Sequence, residues 1–210
     1  FNIGSRPISQ GRHALQELLL NDERNRNNTY GFRFFAEQEI IDGLSVRLNY
    51  GRDINELLNK EYENAVIGDA QPDGRYGEDR SRRQVENFNQ IITYRKSFGD
   101  HNLDITAGHE SFDRTFTSNS GLKTIQAANG IFEFDNFSNI VDLGGSSTRK
   151  SIEGYFSRLN YNYKNKYYIS GSVRRDGSSV FDADTRWGTF YSVGGSWRID
   201  QENFLKGSEV

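Results

Sequence analysis

Cysteine is absent from the 210 residues. Disulfides, thiolate metal sites and cysteine nucleophiles are therefore excluded. Apolar residues are scarce, at 34% against roughly 45–50% in ordinary globular domains. No apolar run approaches the ~18 residues that a membrane helix requires, although a barrel strand needs only ~9–11 and hides its apolar half by alternation. A basic patch is also lacking. The 26 Lys and Arg are interleaved with 29 Asp and Glu, for a net charge of −3, which gives nucleic acid nothing to bind. The short run Arg80, Arg82 and Arg83 reads as a solvated strand end. No signal peptide precedes Phe1, and the chain stops abruptly at Val210, so a piece of a longer protein is expected.

Aromatic residues, by contrast, are abundant: 13% of the chain, with 11 Tyr and 15 Phe. Disordered chains are poor in aromatics. A chain both polar and aromatic suits a surface that is wet on two sides and banded with rings.

Residues 1–29 read as irregular. HALQELLL, His13 to Leu20, suits a short helix, and the Asn-rich stretch Asn21 to Thr29 reads as loop. From Tyr30 onward a period of two takes over, and seven strands are expected. The first places Tyr30, Phe32, Phe34 and Ala36 opposite Arg33, Glu37 and Glu39. An Asp42-Gly43 hairpin turn leads to the second, with Leu44, Val46, Leu48 and Tyr50 opposite Ser45, Arg47, Asn49 and Gly51. The third carries Phe88, Ile92 and Tyr94, the fourth Leu103, Ile105 and Ala107. In the fifth, Tyr155, Leu159, Tyr161 and Tyr163 face away from Arg158, Asn160 and Asn162. The sixth sets Tyr167, Ile169 and Val173 against Tyr168, Ser170 and Ser172. The seventh alternates most cleanly: Trp187, Thr189, Tyr191, Val193 and Trp197 against Phe190, Ser192, Ser196 and Arg198. Long loops are expected near 66–81, 113–148 and 176–185, and 207–210 reads as a truncated turn.

Alternation alone fits a soluble β-sandwich as well as a barrel. Three features favour the barrel. Connections alternate between short (Asp42-Gly43, Ser97 to His101, Lys164 to Lys166) and long, as in outer-membrane barrels. Trp187 and Trp197 stand ~33 Å apart along a strand, which a 45° tilt projects to roughly 24 Å, close to the ~25 Å apolar band between aromatic girdles. Tyr161, Tyr163, Tyr167 and Tyr168 gather at a short turn, where rings and hydroxyls suit a membrane–water boundary. The sandwich reading makes the two Trp core residues and the tyrosines a wet edge cluster. Seven strands fall short of the eight of the smallest bacterial barrels and would expose sheet edges, so further strands are expected.

Tyr155 to Phe181, YFSRLNYNYKNKYYISGSVRRDGSSVF, and Arg186 to Lys206, RWGTFYSVGGSWRIDQENFLK, resemble the barrel of SusC/RagA-type TonB-linked outer-membrane proteins. In that family R-x-N-Y-x-Y meets a K-x-K-Y turn, then R-x-D-G-S-S, then R-W-G-x-F-x-S-x-x-x-x-W-R-I. Phe32 to Gly51, with its turn at Ile41 to Leu44, looks like an earlier hairpin of the same barrels. The resemblance covers most of 30–206. It implies an all-β, antiparallel transmembrane β-barrel segment, about seven strands of a larger plugged barrel. It further implies a bacterial outer-membrane location and import of oligosaccharides or peptides. The implied partners are the membrane lipids, the rest of the barrel and its plug, a SusD-like lipoprotein, TonB (through parts outside this chain) and the glycan or peptide cargo.

No enzymatic chemistry is expected and no cofactor. His13, His101 and His109 lack metal spacing, and His109-Glu110 without a second His is no zinc-protease motif. Asp176-Gly177 and Asp182-x-Asp184 do not match a calcium loop and read as turn chemistry. Glu37 and Glu39 share a strand face but have no catalytic companions. Trp187, Trp197, Tyr161, Tyr163 and Tyr167 are the expected membrane-interface aromatics. Phe132, Phe134 and Phe137 are candidates for a ligand or partner loop, with loop–loop packing as the alternative. A soluble or surface-exposed carbohydrate-binding β-sandwich is the rival for the whole chain.

Overall fold

The computed structural model describes residues 13–204. A short helix, α1 (Ala14–Leu20), is followed by seven strands: β1 (Asp22–Ile41), β2 (Leu44–Glu63), β3 (Arg75–Phe98), β4 (His101–Gln126), β5 (Phe137–Tyr163), β6 (Tyr167–Ser178) and β7 (Trp187–Trp197). Each pairs with its sequence neighbour, so the sheet order is β1-β2-β3-β4-β5-β6-β7. Among the described residues there is one sheet and no second layer, which removes the sandwich: a sandwich buries its apolar faces between two sheets.

His13 opens α1, its ring Nδ1 accepting from the Gln16 N–H at 3.3 Å. The short turns follow from local chemistry. Gly43 sits at φ +80°, and a Cβ there would fall 2.0 Å from the Arg95 carbonyl. Strand β3 approaches so closely because the Arg95 N–H donates to the Gly43 carbonyl at 2.7 Å. At the three-residue β5–β6 turn, Lys164 to Lys166, Lys164 and Asn165 both adopt positive φ (57° and 51°), a backbone twist that matches that of the paired strands. The β3–β4 turn is Gly99-Asp100, tighter than the Ser97–His101 stretch expected. The Asp100 carbonyl accepts from the Lys164 N–H, and the Lys166 carbonyl from the Arg198 N–H, so the β3–β4 turn, the β5–β6 turn and the end of β7 lie side by side.

The strands are longer than the periodicity indicates. Asn21 to Thr29, read as loop, belongs to β1 from Asp22 onward. The loop expected near 66–81 ends where β3 begins at Arg75. The expected 113–148 loop shrinks to residues 127–136, because β4 continues to Gln126 and β5 starts at Phe137. The 176–185 loop shifts to 179–186. These extensions are dominated by polar residues, with only scattered apolar ones such as Tyr76, Phe116, Leu122 and Phe137. They are held by backbone ladders and by cross-strand pairs such as Asn55 Nδ2 to Asn27 Oδ1 at 2.7 Å, Asn139 Nδ2 to Thr124 Oγ1 at 2.9 Å and Ser118 Oγ with Ser146 Oγ at 2.8 Å. Strands with so few apolar residues give little hydrophobic alternation to read. The turn expected at 207–210 lies outside the described residues.

The contacts divide the chain into two compact units. Unit 1 holds residues 13–30, Asp53–Gln84 and Thr115–Thr148; unit 2 holds Gly31–Arg52, Val85–Arg114 and residues 149–204. Unit 1 contains a small aromatic core of Tyr62, Tyr76 and Phe137, with Phe132 and Phe134 packed against it. Two buried asparagines pin its connections. Asn64 Oδ1 accepts from the N–H groups of Val66 and Ile67. The Asn136 side chain bonds the backbone of Ala128 on both sides and donates to the Ile131 carbonyl.

Candidate functional site

Unit 2 presents two chemically opposite faces. The β5–β6–β7 register fixes which residues share each. Tyr163 pairs with Tyr167, and Tyr155 with Arg175; Tyr167 pairs with Trp197, and Gly177 with Trp187. Because side chains alternate along a strand, Tyr155 to Tyr163, Tyr167 to Gly177 and Trp187 to Trp197 put their odd-numbered residues on one face.

That face carries an unbroken row of rings beside the short turns. Phe98 stacks on His101 at 5.1 Å, and His101 meets Tyr163 at 4.8 Å. Tyr163 stacks on Tyr167, and Tyr167 on Trp197, each at 6.4 Å. One ring comes from each of five neighbouring strands. Tyr161, one step further in, bonds His101 Nδ1 through its hydroxyl at 2.6 Å. A second row lies further along the same strands. His109 stacks on Tyr155 at 4.7 Å, and Tyr155 meets Trp187 at 6.2 Å. Gly177 lets this row close, since a Cβ there would stand 2.8 Å from the Trp187 ring.

Between the rows the face is aliphatic and uncovered: Leu159 is 40% exposed, Val173 46% and Ile169 57%. Tyr155 and Tyr163 are eight residues apart, and Trp187 and Trp197 ten. At ~3.3 Å per residue and a tilt near 40°, the rows bound a band of roughly 20–25 Å. The five expected interface aromatics, Trp187, Trp197, Tyr161, Tyr163 and Tyr167, thus share one face, and four of them stand in the two rows. The rows also recruit Phe98, His101, His109 and Tyr155. The histidines' part shows only in the cross-strand register.

The even-numbered face of β4, β5 and β6 is mostly polar, with Phe156 lying under the Arg174 guanidinium at 5.6 Å. Arg174 donates to Glu110 at 2.6 Å and to both Asp176 oxygens at 2.8 Å. Asn102 Nδ2 donates to Asn162 Oδ1 at 2.9 Å, and Ser172 Oγ meets Ser192 Oγ at 2.8 Å. Arg158 Nε reaches Asn160 Oδ1 at 3.3 Å. In the first hairpin Arg47 is held by Glu37 at 2.9 Å.

Just past β7, Glu202 gathers three donors: the Tyr167 hydroxyl at 2.5 Å, the Trp197 indole N–H at 3.1 Å and Lys166 Nζ at 3.0 Å. The Tyr167 hydrogen bond, with the Lys166 ammonium beside it, pulls its carboxyl down from 4.5 to about 2. Asp42 is likewise held below its usual range by the hydrogen bond and charge of Lys96. Charged groups fasten the short-turn end where the ring row finishes.

The expected ligand trio behaves otherwise. Phe137 is 1% exposed and stacks on Tyr76 at 5.6 Å. Phe132 lies on Tyr62 at 4.4 Å, and Phe134 meets Tyr76 edge to face at 5.0 Å. A ring used as core offers no free face to a ligand, so Phe137 is a packing residue. Phe132 and Phe134 are half-buried against that core.

No family model matches the chain. It is 30% identical over 206 residues to TonB-dependent receptor P39 of Formosa agariphila, an alignment covering 92% of this chain and 19% of that receptor. It is 36% identical over 123 residues to TonB-dependent receptor SusC of Bacteroides thetaiotaomicron, covering 59% of this chain and 12% of SusC. Its fold matches a chain in the structure of the RagAB peptide transporter with a TM-score of 0.80 and 23% identity, over 90% of this chain and 22% of that one. The chain therefore spans about a fifth of the length of P39 and of that transporter chain. With its antiparallel strands, alternating faces and short turns, the chain belongs to the SusC/RagA type of TonB-dependent receptor, as a segment of the β-barrel wall.

Proposed function

We propose that this segment is part of an outer-membrane importer and serves as its wall. The odd-numbered face of unit 2 meets lipid, the even-numbered face lines the lumen, and the longer connections stand outside the cell. The observation that carries this reading is the pair of ring rows bounding an uncovered aliphatic band, set against a mostly polar face laced with cross-strand hydrogen bonds. Trp187, Trp197, Tyr161, Tyr163 and Tyr167 would hold the band at the two interfaces, where a ring with a polar tip is partly wet and partly dry.

The cargo is an oligosaccharide or a peptide, taken up with a SusD-like lipoprotein and energised through TonB. Support comes from the relatives: one is named for SusC, another is described as a peptide transporter. Uptake by the full-length receptor tests this. Cells carrying or lacking the receptor are supplied with labelled oligosaccharides and labelled oligopeptides, with TonB intact and deleted. TonB-dependent uptake of one class that requires the receptor is the expected result. Uptake of neither class, or uptake indifferent to TonB, would contradict it.

A further inference from the structure

Arg175 stands on the aliphatic face, where its register partners are Tyr155 on one side and Thr189 on the other. Its guanidinium lies 5.3 Å from the centroid of the Trp187 ring. Among the described residues it forms no ion pair. The nearby acids are committed elsewhere: Glu153, diagonal to it across β5 and β6, is turned to His109 at 3.1 Å, and Asp176 holds Arg174 on the opposite face.

On the polar face Arg174 and Arg47 each have a carboxylate and Arg158 has the Asn160 amide, whereas among the described residues Arg175 has only the Trp187 ring. An arginine at the border of an apolar band, kept on a tryptophan and without a carboxylate, is available to an anion from outside the chain. Its planar fork suits the oxygens of a phosphate, and stacking on a ring leaves its N–H edge free to donate. Tyr155 and Thr189 flank it in register, each carrying a hydroxyl that is a neutral donor. The place matters as well: the second ring row is the one remote from the short turns, at the border of the leaflet on the loop side.

We infer that Arg175, seated on Trp187 and flanked by Tyr155 and Thr189, is a docking point for the phosphate of a glycolipid headgroup of the lipid A kind in the leaflet on the loop side. This rests on the wall reading above. Interfacial cations are drawn to anionic headgroups, and here the cation is fixed in position by the ring beneath it. Gly177 is part of the site, because its missing Cβ is what lets the Trp187 ring lie where it does.

The full-length receptor in detergent micelles is titrated with bisphosphorylated lipid A, and bound lipid is counted by native mass spectrometry. Arg175→Gln is expected to weaken binding at least fivefold, and Arg175→Lys to weaken it less. Arg158→Gln, on the opposite face, is expected to leave it unchanged. Dephosphorylated lipid A should bind the wild type no better than phosphorylated lipid A binds Arg175→Gln. Binding by Arg175→Gln within twofold of wild type, with the barrel still folded by heat-modified gel mobility, would overturn the inference. So would inorganic phosphate at millimolar concentration displacing the lipid completely, since the site would then serve free phosphate. Spin labels at Ile169 and Val173 separate the two readings. If they report water rather than lipid, the wall reading has failed; if they report lipid while Arg175→Gln binds normally, only the headgroup site has.

Discussion

Glu202 shows how one side chain organises the end of a sheet. It ties the Lys164–Lys166 turn, the Tyr167–Trp197 stack and the tail beyond β7 through three hydrogen bonds. Its carboxyl is depressed from 4.5 to about 2. A depressed acid stabilises the fold fully above its unfolded value, and that contribution fades as pH falls through the folded value. The short-turn end should therefore loosen between about pH 4.5 and about pH 2. Hydrogen exchange of the Lys166 and Tyr167 amides in the full-length receptor checks this. Glu202→Gln should exchange faster at neutral pH and lose the pH dependence over that window. At the other row, Gly177→Ala places a methyl against the Trp187 ring. Overpacking of this kind costs ~1–3 kcal/mol, and a lowered unfolding midpoint in denaturant is the expected result. Neither residue's role is legible in the sequence. Glu202 reads as one acid in a polar tail, and Gly177 as half of an Asp-Gly turn. What each does is set by a partner strand whose register the sequence does not print.

At the scale of elements, the seven strands and the three short turns are legible because their causes are local. Asp42-Gly43 and Lys164-Asn165 are turn chemistry, and the alternation of Trp187 to Trp197 is a period that any reader can count. The strand extensions are not legible, because Asp22 to Thr29 has no apolar residue, and Arg75 to Ser81 and Thr115 to Gln126 have only Tyr76, Phe116, Leu122 and Ile125, too few to set a period of two. One position in this region departs from ordinary backbone. Ile125, near the end of β4, adopts φ 65°, a region that costs a β-branched residue about 1–2 kcal/mol. It stays there because its neighbours are fastened: the Gln126 N–H donates to the Asp73 carbonyl at 2.8 Å, and Ser138 Oγ to the Ile125 carbonyl at 3.2 Å. Its side chain is 46% exposed, so little burial is at stake. Ile125→Gly is expected to leave stability unchanged or raise it by up to ~1 kcal/mol, whereas Gly in an ordinary strand interior weakens it. The opposite holds for Phe137. Removing a buried ring costs about 3–5 kcal/mol, so Phe137→Ala should free the 127–136 connection to proteolysis in the full-length receptor. If that connection stays as resistant as in the wild type, the aromatic core is not what holds it.

At the scale of the molecule, a barrel wall asks two things of one sheet: an aliphatic face for lipid and a polar face for the lumen. The low apolar content and high aromatic content already carry that signature. The sequence resemblance to SusC/RagA proteins and the fold match to a RagAB transporter chain agree with it. The most direct test is electron paramagnetic resonance on the full-length receptor in lipid bilayers, with single spin labels at Ile169, Ser170, Ser172 and Val173. This chain has no cysteine to interfere with labelling. A wall requires strict alternation: labels at Ile169 and Val173 relaxed by oxygen dissolved in the lipid, and labels at Ser170 and Ser172 relaxed by a water-soluble nickel complex. Equal access of the nickel complex to all four sites would contradict the membrane wall and leave the aliphatic band to be covered by protein.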